Sequence, residues 1–376
     1  MRTIALQFSA RGEVEVVDDG LPRELGPTEV LIETVYSGIT NGTERHAMMA
    51  EHFWGVFPGR HGYQHVGRIA AVGSAVQGLV PGDWTFNGEY VGHRGWNILD
   101  VAAGPLLVKL PESRDYREYA LLGVAGVAMK AVRRLCVRPA DRVLVTGIGP
   151  IGVFAAMAGR LHGAEVTVTD LNERRLRIAS EQGFDHAVAV SDPDYWDKLK
   201  ELGPFDAIID GSGYQRLFYD IFDNGLLAYG GAVCPLAVRL ETTFPWSMLH
   251  QTDGRIEVSC HFGCDDLRVV IHGIETGVID PGAIITHTVS IDEAKSIYAV
   301  MRDSPGDLFG VVSTGAERSA GEGKYGIGED EDNPSGGRDA LYGDALNGGG
   351  RGVGVGTGPG HSVSSVRKAR EHFLRR

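Results

Sequence analysis

The sequence predicts a two-part α/β chain, a β-rich first part followed by a doubly wound parallel sheet. Residues 1–110 carry short β-branched runs bounded by Gly and Pro, the signature of strands and tight turns. Beyond about residue 140, apolar strands alternate with helices of roughly 10–15 residues, which implies parallel strands covered on both faces. The length of 376 residues leaves room for about two domains.

The elements follow in order. "MRTIALQFSARGEVEV" alternates as a strand does, and "EVEVVDD", "EVLIETVYSG", "VGRIAAVGSAV" and "LLVKLPE" are further strand candidates. Residues 115–132, "DYREYALLGVAGVAMKAV", read as a helix. "DRVLVTGIG" is then a strand and "PIGVFAAMAGRLHG" a helix that stops at Gly. "EVTVTDL", "AVAV" and "FDAIIDGSG" are strands separated by the helices "NERRLRIASEQG" and "PDYWDKLKELG". "GGAVCPLAV" and "RIEVSCHF" read as later strands, "DLRVVIHGIETG" and "SIDEAKSIYAVMRD" as helices. From Gly315 the composition turns Gly-rich, with one acidic cluster and no periodic apolar face, which predicts a disordered tail over 315–376. Its basic end, "VRKAREHFLRR", reads as a short helix.

Composition excludes several classes. A formal net charge of −13 disfavours non-specific binding to nucleic acid or to an anionic membrane. Four cysteines in so long a chain are no disulfide framework. No apolar run approaches the roughly 20 residues of a membrane span, and the N-terminus has no signal-like apolar core. The expectation is a reduced, cytoplasmic protein acting on a small molecule.

"VLVTGIGPIGVFAAMAG" places Gly147, Gly149 and Gly152 in the G-x-G-x-x-G spacing, after a β-branched strand and at the opening of a helix. Gly147 permits the turn, Gly149 lets a pyrophosphate approach the backbone, and Gly152 lets helix and strand pack. Pro150 and Ile151 begin the helix whose free N–H groups face the phosphates. Asp170 ends the next strand, 18 residues beyond Gly152, where a carboxylate holds a ribose diol and repels a 2′-phosphate. NAD is therefore expected over NADP. Arg174 and Arg175 lie close enough to soften that preference, and Gly211, after "AIID", completes the expected cofactor set.

With these parts in order, the sequence resembles the medium-chain dehydrogenase/reductase family over about residues 1–314. "SGITNGTERH" looks like the family's G-I-C-G-T-D-x-H segment, and "GYQHVGRIAAVGSAVQGLVPGDWT" like its G-H-E-x-x-G stretch. The resemblance implies a GroES-like catalytic domain over 1–115, completed by 286–314, and a Rossmann NAD-binding domain over 116–285, with the active site in the cleft between them. It also implies a homodimer or homotetramer; "GGAVCPLAVRLETTF" is a candidate edge for joining two sheets.

The departures concern metal. Asn41 stands at the family's ligand-cysteine position, in a stretch with one extra residue, Thr40, and Tyr63-Gln64 stands at its His-Glu pair. "LLGVAGVAMKAV" offers only apolar residues where a third ligand belongs. Zinc prefers thiolate, imidazole and carboxylate, so no zinc is expected. Cys260, His261 and Cys264 form a short cluster better read as a strand end near a surface. The variants look most like a zinc-lacking subgroup similar to bacteriochlorophyllide a dehydrogenase.

Thr43 and His46 match the family's hydroxyl and imidazole proton relay. Asn41 and Tyr63 are expected to face the substrate oxygen, with Tyr63 donating a hydrogen bond in place of a Lewis acid. Glu44 is expected to orient Asn41 or Arg45, and His65 and His93 are spare proton carriers. Phe53, Trp54, Phe57, Gln64, Trp84, Phe86, Tyr90 and Trp96 are expected around a bulky or planar apolar substrate, some of them as core. The implied activity is a zinc-independent, NAD-dependent interconversion of a secondary alcohol and a ketone. An NADPH-dependent quinone or enone reductase and a catalytically silent nucleotide-binding scaffold are the alternatives.

Overall fold

The computed structural model describes residues 4–20, 22–51, 55–304 and 310–313. The expectations for Phe53, Trp54 and the 315–376 tail lie outside these residues.

The first part begins with an antiparallel pair, β1 (Ile4–Ala10) and β2 (Glu13–Asp18). The long strand β3 (Glu29–Gly38) leads through Ile39 and Thr40 into a short helix, α1 (Asn41–Met48). Strands β4 (His65–Val72), β5 (Trp84–Asn87), β6 (Trp96–Asp100) and β7 (Leu107–Lys109) follow. Strand β3 pairs antiparallel with β4 on one side and is also paired by β6. The predicted helix over 115–132 forms in two pieces, a 3₁₀ segment at Tyr116–Leu121 and then α2 (Leu122–Leu135), which carries most of its residues into the core.

The second part is a six-stranded parallel sheet. It consists of β8 (Arg142–Thr146), β9 (Glu165–Asp170), β10 (His186–Ala189), β11 (Phe205–Asp210), β12 (Leu227–Pro235) and β13 (Arg255–Ile256), in the order β10-β9-β8-β11-β12-β13. Helices α3 (Pro150–Leu161), α4 (Glu173–Glu181), α5 (Tyr195–Leu202), α6 (Leu217–Asp223), α7 (Trp246–Thr252) and α8 (Cys264–Glu275) connect the strands and cover the sheet. The order reverses between β8 and β11, which opens a crevice at their carboxyl ends. "RIEVSCHF" shrinks to a two-residue strand, Arg255–Ile256, whose ladder with β12 ends where Glu257 N donates to the Val233 carbonyl.

The chain then returns to the first part. β14 (His287–Ser290), α9 (Ala294–Asp303) and β15 (Gly310–Ser313) extend the first sheet, with β15 antiparallel to β3. Among the described residues the buried apolar side chains form four clusters, two of which involve α1, α2 and α9. One joins α2, α3 and α8 with the sheet residues Val143, Val145, Val166 and Val168, and reaches Tyr63 and Phe86 of the first part. The other packs α9 and α1 against β1 through Ile297, Tyr298, Met48 and Phe8. Among the described residues no helix is long and apolar enough to cross a membrane.

Candidate active site

The turn after β8 has the geometry its glycines require. Gly147 has φ +77°, and a Cβ there would lie 2.6 Å from Ser212 Cα; a Cβ on Gly152 would lie 2.0 Å from the Gly147 carbonyl oxygen. A Cβ on Gly211 would meet that same oxygen at 2.6 Å. These three glycines are space requirements of the loop itself. Gly149 differs: its nearest neighbour would be Arg175 Nη1 at 3.7 Å, so its face is open. It caps α3, with Pro150 at the first helical position, where a missing N–H costs nothing. Asp170, buried at the end of β9, accepts from Ile148 N at 2.8 Å and Asn172 N at 2.8 Å, and its Oδ2 lies 3.5 Å from Arg175 Nη1. The carboxylate thus braces the glycine turn from the neighbouring strand and holds Arg175 near Gly149.

The segment before and in α1 is organised by Thr40, the extra residue. Its backbone N–H donates to Glu44 Oε1 at 2.7 Å, and its hydroxyl accepts from Gln64 Nε2 at 3.1 Å. Gln64 is fully buried; its carbonyl oxygen accepts from Val124 N at 2.9 Å, which docks the start of α2. The amide of Gln64 is therefore spent inside the protein, and its expected place in a substrate pocket is corrected to a structural one. Gly123 makes room for this docking, since a Cβ there would lie 2.7 Å from both Gln64 Cγ and Tyr63 Cε2.

Glu44 departs from its expected role, for it orients neither Asn41 nor Arg45. Its Oε2 receives His93 Nε2 at 2.8 Å and the Tyr298 hydroxyl from α9. The carboxyl is 1% exposed. Burial alone would raise its pKa, but the charge and hydrogen bond of His93, with the bonds from Thr40 N and Tyr298, hold it below the usual carboxylate range. His93 Nδ1 lies 2.7 Å from Ser37 Oγ, and the same hydroxyl lies 3.0 Å from His65 Nδ1. Ser37 and His65 face each other across β3 and β4. A continuous buried chain, Tyr298–Glu44–His93–Ser37–His65, thus runs through the first part. Burial, then the nearby His93, pushes His65 down to about 3, so its ring is neutral.

Arg45 instead pairs with Glu51 at 2.8 Å, and His46 Nδ1 lies 2.6 Å from the same carboxylate. The side chain of His46 is 24% exposed, which leaves it a route to water. Asn41 opens α1, and both polar atoms of its side-chain amide are buried without a hydrogen-bond partner among the described residues. Thr43 lies partly buried on the same helix.

The expected aromatic wall is partly replaced. Phe57 packs into the cluster of α9, α1 and β1 instead of beside Tyr63. Phe86 is fully buried core. The Trp84 ring stacks on Tyr116 at 3.9 Å, under the Arg68 guanidinium at 4.6 Å. Trp96 lies on β6 opposite Glu33, away from this group. Around Tyr63 stand Tyr90 at 4.9 Å, His261 at 5.3 Å and Phe262 at 6.0 Å between ring centroids. His261 and Phe262 come from the second part, so this cluster bridges the two sheets. Phe262 seats against Gly88 and Gly126, whose Cβ positions would lie 2.8 Å and 3.0 Å from its ring. A signal for this packing stood in the sequence as "LLGVAGVAMKAV", where Gly123 and Gly126 share a helix face. Burial pushes His261 down to about 4, and burial also raises both Tyr63 and Tyr90 above the ordinary phenol value, so all these rings are neutral. Of the cysteine cluster, Cys260 is exposed and Cys264 begins α8.

The profile of the zinc-binding dehydrogenases matches residues 150–275. The probable D-xylulose reductase A of Aspergillus clavatus is 26% identical over 344 residues, spanning 80% of this chain and 94% of that protein. The L-threonine 3-dehydrogenase of Solibacter usitatus is 31% identical over 248 residues, 57% of this chain and 71% of that protein. The chain belongs to the zinc-binding dehydrogenase family. The crystal structure of 2R,3R-butanediol dehydrogenase from Bacillus subtilis shares the fold, with a TM-score of 0.74 at 17% identity over 83% of this chain and 99% of that one. As a medium-chain member of that family, the protein is an oxidoreductase of the alcohol and polyol dehydrogenase class.

Proposed function

We propose that this member of the family interconverts a secondary alcohol and a ketone on a bulky, apolar substrate, using NAD and no zinc. The observation that carries the reading is Asn41. At the family's first ligand position stands an amide whose donor and acceptor are both buried, with no partner among the described residues. An unpaired buried polar group costs about 1–3 kcal/mol, and a substrate oxygen entering the opened cleft relieves that cost.

The donor set does not fit zinc. Asn41 is a neutral amide, the Tyr63 phenol is held protonated, and the Gln64 oxygen is taken by Val124 N. None of the three is the thiolate, imidazole or carboxylate that zinc selects. The crevice residues do fit a dinucleotide. The open face of Gly149, the N-terminus of α3 and Asp170 would hold the pyrophosphate and the adenosine ribose. Asp170 favours NAD, with Arg175 beside it. Bound there, the nicotinamide supplies hydride exchange with the carbinol carbon.

The chain's own residues do the rest. Asn41 and Tyr63 donate hydrogen bonds to the substrate oxygen, where charge develops. The Thr43 hydroxyl relays the alcohol proton, giving up its own as it accepts, and His46, oriented by Glu51, exchanges the proton with water. Tyr90, His261 and Phe262 offer neutral rings to an apolar substrate.

A chelator-treated, metal-analysed preparation assayed with NADH and a panel of aryl and macrocyclic ketones tests this reading. Retained activity that falls by roughly 10²-fold in Thr43→Ala and Tyr63→Phe supports it. Activity lost on chelation and restored by zinc would refute it. Oxidation of NADPH by quinones, with ketones inert, would favour the reductase alternative instead.

A further inference from the structure

Asp210 ends β11 and is fully buried. Its Oδ1 accepts from Thr146 Oγ1 at 3.0 Å, Ser212 N at 2.9 Å, Ser212 Oγ at 2.6 Å and Gly213 N at 3.3 Å. Its Oδ2 pairs with Arg239 Nη2. One carboxylate therefore ties together the ends of β8 and β11 and the loop that follows β12. These are the strand ends on the far side of the glycine turn from Asp170.

Arg239 is held as firmly. Its side chain is 8% exposed, and its Nε donates to the Ala237 carbonyl at 3.2 Å. Its remaining terminal nitrogen, Nη1, is buried with no partner among the described residues. A buried donor left unsatisfied is rare and calls for an acceptor. Nothing in the site described above uses it.

The sheet order says which acceptor reaches this place. With the adenosine ribose at Asp170 on β9 and the pyrophosphate over Gly149 after β8, the rest of a dinucleotide must run the other way, over the ends of β11 and β12. Resting on the cofactor reading given above, we propose that Arg239 donates from Nη1 to an acceptor oxygen on the nicotinamide half of the bound cofactor. Asp210 already balances the guanidinium charge, so Arg239 serves as an oriented N–H donor and not as an anion trap. The loop over residues 236–245 exposes Val238, Leu240 and Phe244 to solvent, while Leu236, Ala237 and Arg239 at its start are held by Asp210.

The test compares two probes on the full chain by calorimetry: NADH, and ADP, which lacks the nicotinamide half. In Arg239→Lys a positive charge stays beside Asp210 but the planar fork is lost. Arg239→Gln removes the charge and keeps an amide donor for Asp210. The expected result is NADH affinity about tenfold weaker in Arg239→Lys, with ADP affinity changed by less than about twofold. ADP binding also reports that the crevice is folded, and Arg239→Gln repeats the comparison should the lysine variant fail to fold. Unchanged NADH affinity would overturn the proposal, and so would equal weakening of both probes, which would mark Arg239 as a brace of the loop alone. A wild-type chain that binds neither probe would remove the cofactor reading, and this proposal with it.

Discussion

Glu44 and His93 meet at 2.8 Å with both side chains 1% exposed. The carboxylate lies on the helix that carries Asn41, Thr43 and His46, and the imidazole lies on the loop before β6. A third partner, the Tyr298 hydroxyl, comes from α9 on the returning C-terminal segment. Helix α1 is thus tied to two distant parts of the chain by one buried charged group. Breaking a buried pair costs more than the pair itself contributes, because the charge left behind has no solvent.

Tyr298→Phe removes one hydrogen bond from this carboxylate and little volume. The variant should be less stable by about 1–3 kcal/mol, read as a lower urea midpoint with an unchanged slope. Glu44→Gln breaks the His93 pair and is itself destabilising, but the double variant should lose less than the sum of the two single losses, whereas independent sites would simply add.

The same cluster makes the fold acid-sensitive. His65 titrates at about 3 in the folded chain against an ordinary value of 6.5, so the unfolded chain binds more protons between those limits. Stability is fully present above about pH 6.5 and is lost as pH falls, by about 1.4 kcal/mol per pH unit for this one group. Glu44, lowered as well, adds a loss of the same sign below its ordinary value of 4.5. His65→Asn should flatten the dependence of the melting temperature between pH 6 and 4; an equally steep curve would show that His65 is not its source.

Asn41→Ala should separate function from stability. Removing an unpartnered buried amide should leave stability unchanged or raise it, while kcat/KM falls by about tenfold or more as a hydrogen bond to the substrate oxygen is lost. Loss of stability together with activity would instead mean that the amide has a partner within the fold.

The glycines of the cofactor turn should respond differently. Gly152→Ala places a Cβ 2.0 Å from the Gly147 carbonyl oxygen and should disrupt the turn and lower the melting temperature. Gly149→Ala meets nothing closer than 3.7 Å and should fold normally while binding NADH more weakly, because the methyl group occupies the phosphate face.

The local patterns of this sequence were sufficient to place the alternating second part, Gly147, Gly149 and Gly152 in the turn after β8, and Asp170 at the end of β9, because strand and helix periodicity and glycine geometry act over a few neighbouring residues. "SGITNGTERH" and "GYQHVG" also marked where the altered site would lie. The partners within it were not legible. Thr40 looked like an insertion and is the residue that binds Glu44 and Gln64 together. Gln64 looked like a pocket residue and instead docks α2. Glu44 finds His93 and Tyr298, 49 and 254 residues away along the chain. His261 and Phe262, not Trp84 or Phe57, complete the aromatic cluster at Tyr63. Residue type by itself determined which groups can donate, accept or stack. Which of them are spent inside the fold and which are left unpaired, as at Asn41 and Arg239, depended on contacts between distant segments, and those exist only once the two sheets and the returning helix have packed.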